Sequence, residues 1–117
     1  MIKQIITLTA KYLNLNVEDI ISKSREQKYV YARSMIVKLC FDVIQNVTYQ
    51  EVGNKIGHRD HSTIIQSKKS HDNLYQTHEP YRRNYDELKH YVKSNIKEYI
   101  TVYPIRLIKP DYTVTIS

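Results

Sequence analysis

The fold is decided by residues 47–64, which read VTYQEVGNKIGHRDHSTI. Thr48 and Glu51 have the spacing of a capping box, in which the side chain of each residue satisfies a backbone amide at the start of a helix. The valines on either side of this segment are placed to form a hydrophobic staple around it. The spacing therefore predicts a helix over residues 48–56.

Two turn residues follow this helix and introduce the next one. Gly57 can adopt the left-handed conformation that ends a helix, because it has no Cβ atom. Asp60, three residues later, is one of the residue types that cap a helix N-terminus. The next helix is predicted over residues 60–76. Two helices joined by so short a turn are typical of a helix-turn-helix, here over residues 48–76.

The second helix of this pair has two chemically different faces when residues are placed at 100° intervals. One face is expected to pack on the core, with a buried histidine among its residues: Ile64, Lys68, His71 and Tyr75. The opposite face carries hydroxyls, amides and a lysine: Ser62, Gln66, Lys69, Ser70 and Asn73, with Thr63 at its edge. Side chains of this kind bind base edges and phosphates, so this face is a candidate site.

The rest of the chain also shows helical periodicity. Apolar spacing predicts helices over residues 2–13, 17–22, 29–46 and from Pro80 to about residue 100, with a basic loop at 22–28. On the long helix, Arg33 and Ser34 lie opposite the apolar stripe and are expected to be exposed. The chain is therefore predicted to form an all-α, compact domain of about six helices over residues 1–100, followed by a short irregular or β-like tail over 101–117.

The composition argues against several classes of protein. Eighteen Lys and Arg against twelve Asp and Glu give a net charge of +6, which favours polyanionic partners. Two glycines are too few for a glycine-rich phosphate loop, and no Ser-His-Asp pattern or carboxylate pair is evident, so we expect neither enzyme activity nor a cofactor. The single cysteine, Cys40, is expected to be a buried hydrophobe in a cytoplasmic protein without disulfides. No apolar run is long enough to span a membrane.

Three potential metal ligands, His58, Asp60 and His61, lie within one turn. They are crowded together, and no cysteine or distant histidine completes a site, so no metal is expected. Asp60 has two possible roles: it can act as a helix cap alone, or as a cap that also contacts a base.

Several stretches of the chain resemble the DNA-binding C-terminal domain of DnaA, the bacterial chromosomal replication initiator. The most specific of them is GHRDHSTI at residues 57–64. The others match in order and spacing: YLNLNVEDIISK at 12–23, the basic loop with Arg25, ARSM at 32–35, EVG at 51–53 and His78-Glu79. The resemblance extends over about residues 8–92.

The resemblance implies that the helix after the glycine turn enters the major groove of DNA. Contacts with bases are implied for Asp60, His61 and Ser62 in the major groove and for Arg25 in the minor groove. Contacts with phosphates are implied for Arg59, Thr63 and Arg33. The positions of Lys23 in the basic loop, and of Gln66 and Lys69 on the polar face, lead us to expect further phosphate contacts from these residues.

The chain departs from the family pattern at three positions. His58 stands where a second glycine is usual, which is expected to shift the turn or add a phosphate contact. Ser34 replaces a common glutamine, which puts one contact with the DNA backbone in doubt. Ser62 replaces a threonine whose methyl group packs on a thymine, so base preference there is expected to be relaxed.

The resemblance covers the DNA-binding part of the initiator, and no ATPase module is evident in the chain. The expected function is sequence-specific binding of double-stranded DNA at DnaA-box-like sites, in the control of replication initiation or transcription. Two alternatives stay open. One is a protein-interaction module that docks a replication protein through the tail, and the other is non-specific duplex binding through charge alone.

Overall fold

A computed structural model describes residues 1–96, which form six α-helices and no strand. The helices are α1 (Ile2–Leu13), α2 (Val17–Ile21), α3 (Gln27–Val43), α4 (Tyr49–Lys55), α5 (His61–Thr77) and α6 (Glu79–Asn95). The predicted all-α fold and the predicted helix-turn-helix, α4 and α5, are both confirmed. The predicted tail and the last residues of the predicted final helix lie outside the described residues. None of the described helices is long and apolar enough to cross a bilayer.

The core is built around α3, and α1, α2, α5 and α6 all pack against it. Ten of its seventeen residues are buried, so α3 is covered on most sides. Cys40 is fully buried on this helix, as predicted. Burial raises the pKa of its thiol to about 12, which leaves it an inert apolar group at neutral pH.

The predicted bounds of α3 were wrong at both ends. The helix begins at Gln27 rather than at Tyr29, so the basic loop is two residues shorter than predicted. It ends at Val43, because Ile44 is extended and Asn46 adopts a left-handed conformation with φ 63°. These non-helical residues turn the chain so that α4 can start at Tyr49.

The predicted exposure of Arg33 and Ser34 was also wrong. These two residues are 8% and 2% exposed, respectively. The helical wheel placed them opposite the apolar stripe, but α2 packs against α3, and Arg33 donates hydrogen bonds to the backbone of α2 and the following loop. This covering is a tertiary contact that periodicity within α3 does not reveal.

Hydrogen bonds at the start of α4 confirm the predicted capping box. The Glu51 amide donates to Thr48 Oγ1 over 3.1 Å, and the Thr48 amide donates to Glu51 Oε1 over 2.9 Å. Val52 is fully buried, which fixes the inner face of this short helix.

The turn between α4 and α5 depends on two glycines. Gly57 has φ 69°, in the left-handed region as predicted. Gly53 lies inside α4 and accepts a hydrogen bond at its carbonyl from the Arg59 amide over 2.9 Å. A Cβ atom on Gly53 would overlap the carbonyl oxygen of Arg59. The turn can therefore fold back onto α4 only because position 53 has no side chain.

A buried polar cluster joins α3, α5 and α6. His71 is 1% exposed, and its Nδ1 atom shares a hydrogen bond of 2.8 Å with the Tyr81 hydroxyl, so its prediction as a core histidine is confirmed. Burial lowers the pKa of His71 to about 4. Nearby, the Tyr85 hydroxyl donates to Asp42 over 2.6 Å. Lys38 and Lys89 form ion pairs with the same carboxylate, at 3.5 Å and 3.3 Å.

Candidate nucleic-acid interface

The first turn of α5 is fixed by Asp60. Its backbone is extended, with φ −80° and ψ 170°, and its Oδ1 atom accepts a hydrogen bond from the Thr63 amide over 2.9 Å. This bond lowers the pKa of the Asp60 carboxyl, because it favours the charged form. The predicted cap is therefore present, and the exposed carboxylate is held at the tip of the helix.

His61 is exposed at the same tip and rests on an aromatic support. Its ring centroid lies 5.2 Å from that of Tyr49, the first residue of α4. The Tyr49 ring lies 4.9 Å from that of Phe41 on α3. Sequence reasoning did not select Tyr49. Its place directly after the Thr48 cap could have drawn attention to it, because the short turn brings the start of α4 near the start of α5.

The polar face of α5 is accessible along most of its length. Five of its residues are exposed, and so is the cap residue Asp60; the five are Ser62, Thr63, Gln66, Lys69 and Asn73. Ser70 is half-buried, and Ile64 and His71 on the other side are buried. The division into a core face and an exposed face is thus as predicted. The exposed face presents hydroxyl, amide and ammonium groups beyond the cap, which are suited to base edges and phosphates.

The basic loop between α2 and α3, residues 22–26, has a defined backbone. The Ser24 amide donates to Ser22 Oγ over 3.2 Å, and the Glu26 amide donates to Ser24 Oγ over 3.2 Å. Lys23 and Arg25 alternate with these residues and are both exposed. The serines therefore hold the backbone, while the two basic side chains face solvent.

Arg33 lies beneath this loop, with its guanidinium group surrounded by backbone carbonyls. Nε donates to Ile20 over 2.6 Å, Nη1 to Ser24 over 2.7 Å and Nη2 to Ser22 over 2.9 Å. A longer bond of 3.4 Å joins Nη2 to Asp19. Arg33 was predicted to contact a DNA phosphate. In the structure its guanidinium group is hydrogen-bonded to backbone carbonyls of the protein itself, which the sequence did not predict.

Arg59 extends from the turn between α4 and α5 to the same region. Nη2 donates to the Ser22 carbonyl over 2.5 Å, and Nη1 donates to Ile56 over 2.7 Å and to Ile21 over 3.3 Å. Burial lowers the pKa of both guanidinium groups, and at Arg33 the charge of Arg59 adds to this effect. The basic loop and the turn therefore lie side by side: Arg59 reaches from the turn to Ser22, and Arg33 on α3 donates to the same carbonyl.

His58, Asp60 and His61 lie close together in sequence, in and next to the turn before α5. Within residues 1–96, no three His, Cys, Asp or Glu side chains are grouped so that they could hold a metal ion. The Asp60 carboxylate accepts from the Thr63 amide and the His61 ring packs on Tyr49, so both of these side chains already have a partner in the protein.

The model of the bacterial dnaA protein helix-turn-helix family matches residues 2–70. The matched region is more than half of the 117-residue chain and contains α1 to α4 and the first turns of α5. The chain belongs to the bacterial DnaA helix-turn-helix family. The region that matches is a DNA-binding module without catalytic function, and the resemblance seen in the sequence is confirmed.

Full-length DnaA proteins match over most of this chain. The chromosomal replication initiator protein DnaA of Leifsonia xyli subsp. xyli is 32% identical over 91 residues, which are 78% of this chain and 19% of that protein. The initiator of Sulfurimonas denitrificans is 33% identical over 86 residues, 74% of this chain and 20% of that protein. The matched part of the chain thus spans about one fifth of the length of each of these two proteins.

Proposed function

We propose that this chain binds double-stranded DNA in a sequence-specific manner, at DnaA-box-like sites. The observation that carries the proposal is the α5 surface. It presents an exposed face of hydroxyl, amide and ammonium groups, a capped and supported first turn, and an exposed basic loop close to that turn. This combination provides base-reading groups and phosphate-binding groups on one side of the molecule.

The start of α5 is the part that reads bases. In helix-turn-helix proteins the N-terminal residues of the recognition helix contact base edges in the major groove. Asp60 can accept a hydrogen bond from an amino group of cytosine or adenine, and Ser62 can bond to either a donor or an acceptor. The His61 ring, supported by Tyr49, can donate to a purine or pack on a thymine methyl group.

The flanking residues hold the DNA backbone. Lys69 and Gln66 continue the exposed face along α5, and Thr63 lies at its edge, so we assign phosphate contacts to them. On the basic loop, Lys23 is assigned to a phosphate and Arg25 to the adjacent minor groove, where a narrow A·T-rich groove attracts arginine. Arg59 is half-buried, and any phosphate contact it makes is in addition to its bonds to backbone carbonyls.

The biological role follows from the family and is part of the proposal. Its relatives are chromosomal replication initiator proteins, so we assign this chain to the control of replication initiation or of transcription, in the cytoplasm beside the chromosome. A replication protein that docks on the tail would be an additional partner.

Selection of binding sites from a pool of random duplexes tests the proposal. The full chain should enrich a defined motif, and its affinity for that site should exceed its affinity for a shuffled duplex by a factor of about 10³ or more at physiological salt. Retention of duplexes without enrichment would contradict sequence-specific binding and indicate binding through charge alone. Failure to retain any duplex, even at low salt, would favour the protein-interaction alternative.

A further inference from the structure

Two arginines from different parts of the chain converge on one backbone carbonyl. Arg33 Nη2 and Arg59 Nη2 both donate to the Ser22 carbonyl, over 2.9 Å and 2.5 Å. Their other hydrogen bonds reach backbone carbonyls at the end of α2, in the loop and at the end of α4: Asp19, Ile20, Ile21, Ser24 and Ile56. The pair thus connects three segments that carry or flank the candidate interface.

The charge of this pair is balanced by dipoles rather than by acids. Neither guanidinium forms an ion pair with a carboxylate of residues 1–96. Two like charges placed side by side repel each other. Carbonyls at the C-terminal end of a helix carry partial negative charge, and the end of α2 provides several of them. Hydrogen bonds to these carbonyls therefore keep both cations at the junction.

Gly57 gives independent evidence that the junction is tightly packed. A Cβ atom at this position would overlap the carbonyl oxygen of Ile21 at the end of α2. The turn between α4 and α5 therefore lies directly against the end of α2, beside the Arg59 side chain. Little space is left for the loop to shift relative to the turn.

We infer that Arg33 and Arg59 are positioning residues that lock the basic loop against the helix-turn-helix. The inference rests on the proposed function, because its consequence concerns DNA. With the loop locked, the exposed Arg25 side chain starts from a fixed place relative to the first turn of α5. The distance between Arg25, for the minor groove, and the first turn of α5, for the major groove, is then fixed before DNA binds. Binding therefore costs less conformational entropy, because the loop is already ordered.

Arginine-to-lysine substitutions separate this role from simple charge. Lysine retains the positive charge but presents a single ammonium group, whereas the planar guanidinium donates to several carbonyls at fixed angles. Arg33→Lys and Arg59→Lys therefore break the junction without changing the net charge. Arg83→Lys is the matched control, because Arg83 lies exposed on α6 and, among residues 1–96, pairs only with Glu79 on the same helix.

The first test is a double-mutant cycle with Arg25→Ala on the selected duplex. With Arg25 present, Arg33→Lys and Arg59→Lys should each weaken binding about tenfold, and Arg83→Lys should leave it within about twofold. In the Arg25→Ala background, both junction variants should have little further effect, because the contact they position is already lost. An equal loss in both backgrounds would overturn the inference, since it would show that the arginines act independently of Arg25.

The second test uses the free protein and does not depend on DNA binding. Backbone ¹⁵N order parameters of residues 22–26 should be near 0.85 in the wild type and in Arg83→Lys, and should fall below about 0.6 in the junction variants. Unchanged values would overturn the inference even if the chain binds DNA. If the order parameters fall in the junction variants but the wild-type chain binds no duplex, the locked junction is supported and the proposed function is refuted. If Arg33→Lys fails to fold, the half-buried Arg59→Lys carries both tests.

Discussion

At the scale of single residues, His58 shows how the turn accommodates a residue other than glycine in the left-handed conformation. Its backbone is left-handed, with φ 57°, directly after Gly57 with φ 69°. A residue with a Cβ atom pays about 1–2 kcal/mol for this conformation, and glycine does not. The turn accepts this strain at an exposed position.

The capping box gives a prediction at the same scale. Thr48→Ala should lower the free energy of unfolding by about 1 kcal/mol, because the Glu51 amide loses its hydrogen-bond acceptor at the start of α4. Urea unfolding monitored by circular dichroism measures this change. Thr7→Ala is the control, since Thr7 is exposed inside α1, and its replacement should leave stability unchanged or slightly higher. Equal stabilities of the wild type and Thr48→Ala would refute the capping role.

At the scale of helices, the sequence predicted the features that depend on residues close together in the chain. Capping residues and apolar periodicity located all six helices, and the wheel of α5 separated its exposed face from its buried face correctly. The error at Arg33 arose because α2 and the loop after it pack against α3. The support of His61 by Tyr49 was missed for the same reason, since it depends on how α4 packs beside α5. Contacts between segments are not encoded in the periodicity of either segment.

Gly53 on α4 gives a prediction in which packing and helix propensity oppose each other. Propensity alone predicts that Gly53→Ala stabilises the helix by about 0.5–1 kcal/mol. The added Cβ would overlap the Arg59 carbonyl oxygen, so we expect a net loss of stability of about 1–3 kcal/mol instead. Asn54→Ala, at the next and exposed position of α4, is the control for propensity. A more stable Gly53→Ala variant in thermal unfolding would show that the turn does not fold back onto α4.

At the scale of the whole molecule, the buried cluster around His71 should make stability depend on pH. Burial lowers the pKa of His71 to about 4 from 6.5, so the unfolded chain binds a proton between these values that the folded chain does not. The free energy of unfolding should therefore fall as the pH is lowered from about 6.5 to about 4. The fall should be shallower in His71→Gln, measured by urea titrations at several pH values. Parallel pH profiles for the two proteins would show that His71 is not the group responsible.

The central claim is that α5 reads bases, and the affinity ratio between the selected duplex and a shuffled duplex tests it most directly. His61→Ala should cost about 1–3 kcal/mol on the selected duplex and much less on the shuffled one, so the ratio should fall. Lys69→Ala, the matched control on the same helix, should weaken both duplexes by similar factors and leave the ratio unchanged. If His61→Ala also leaves the ratio unchanged, base readout by α5 is contradicted.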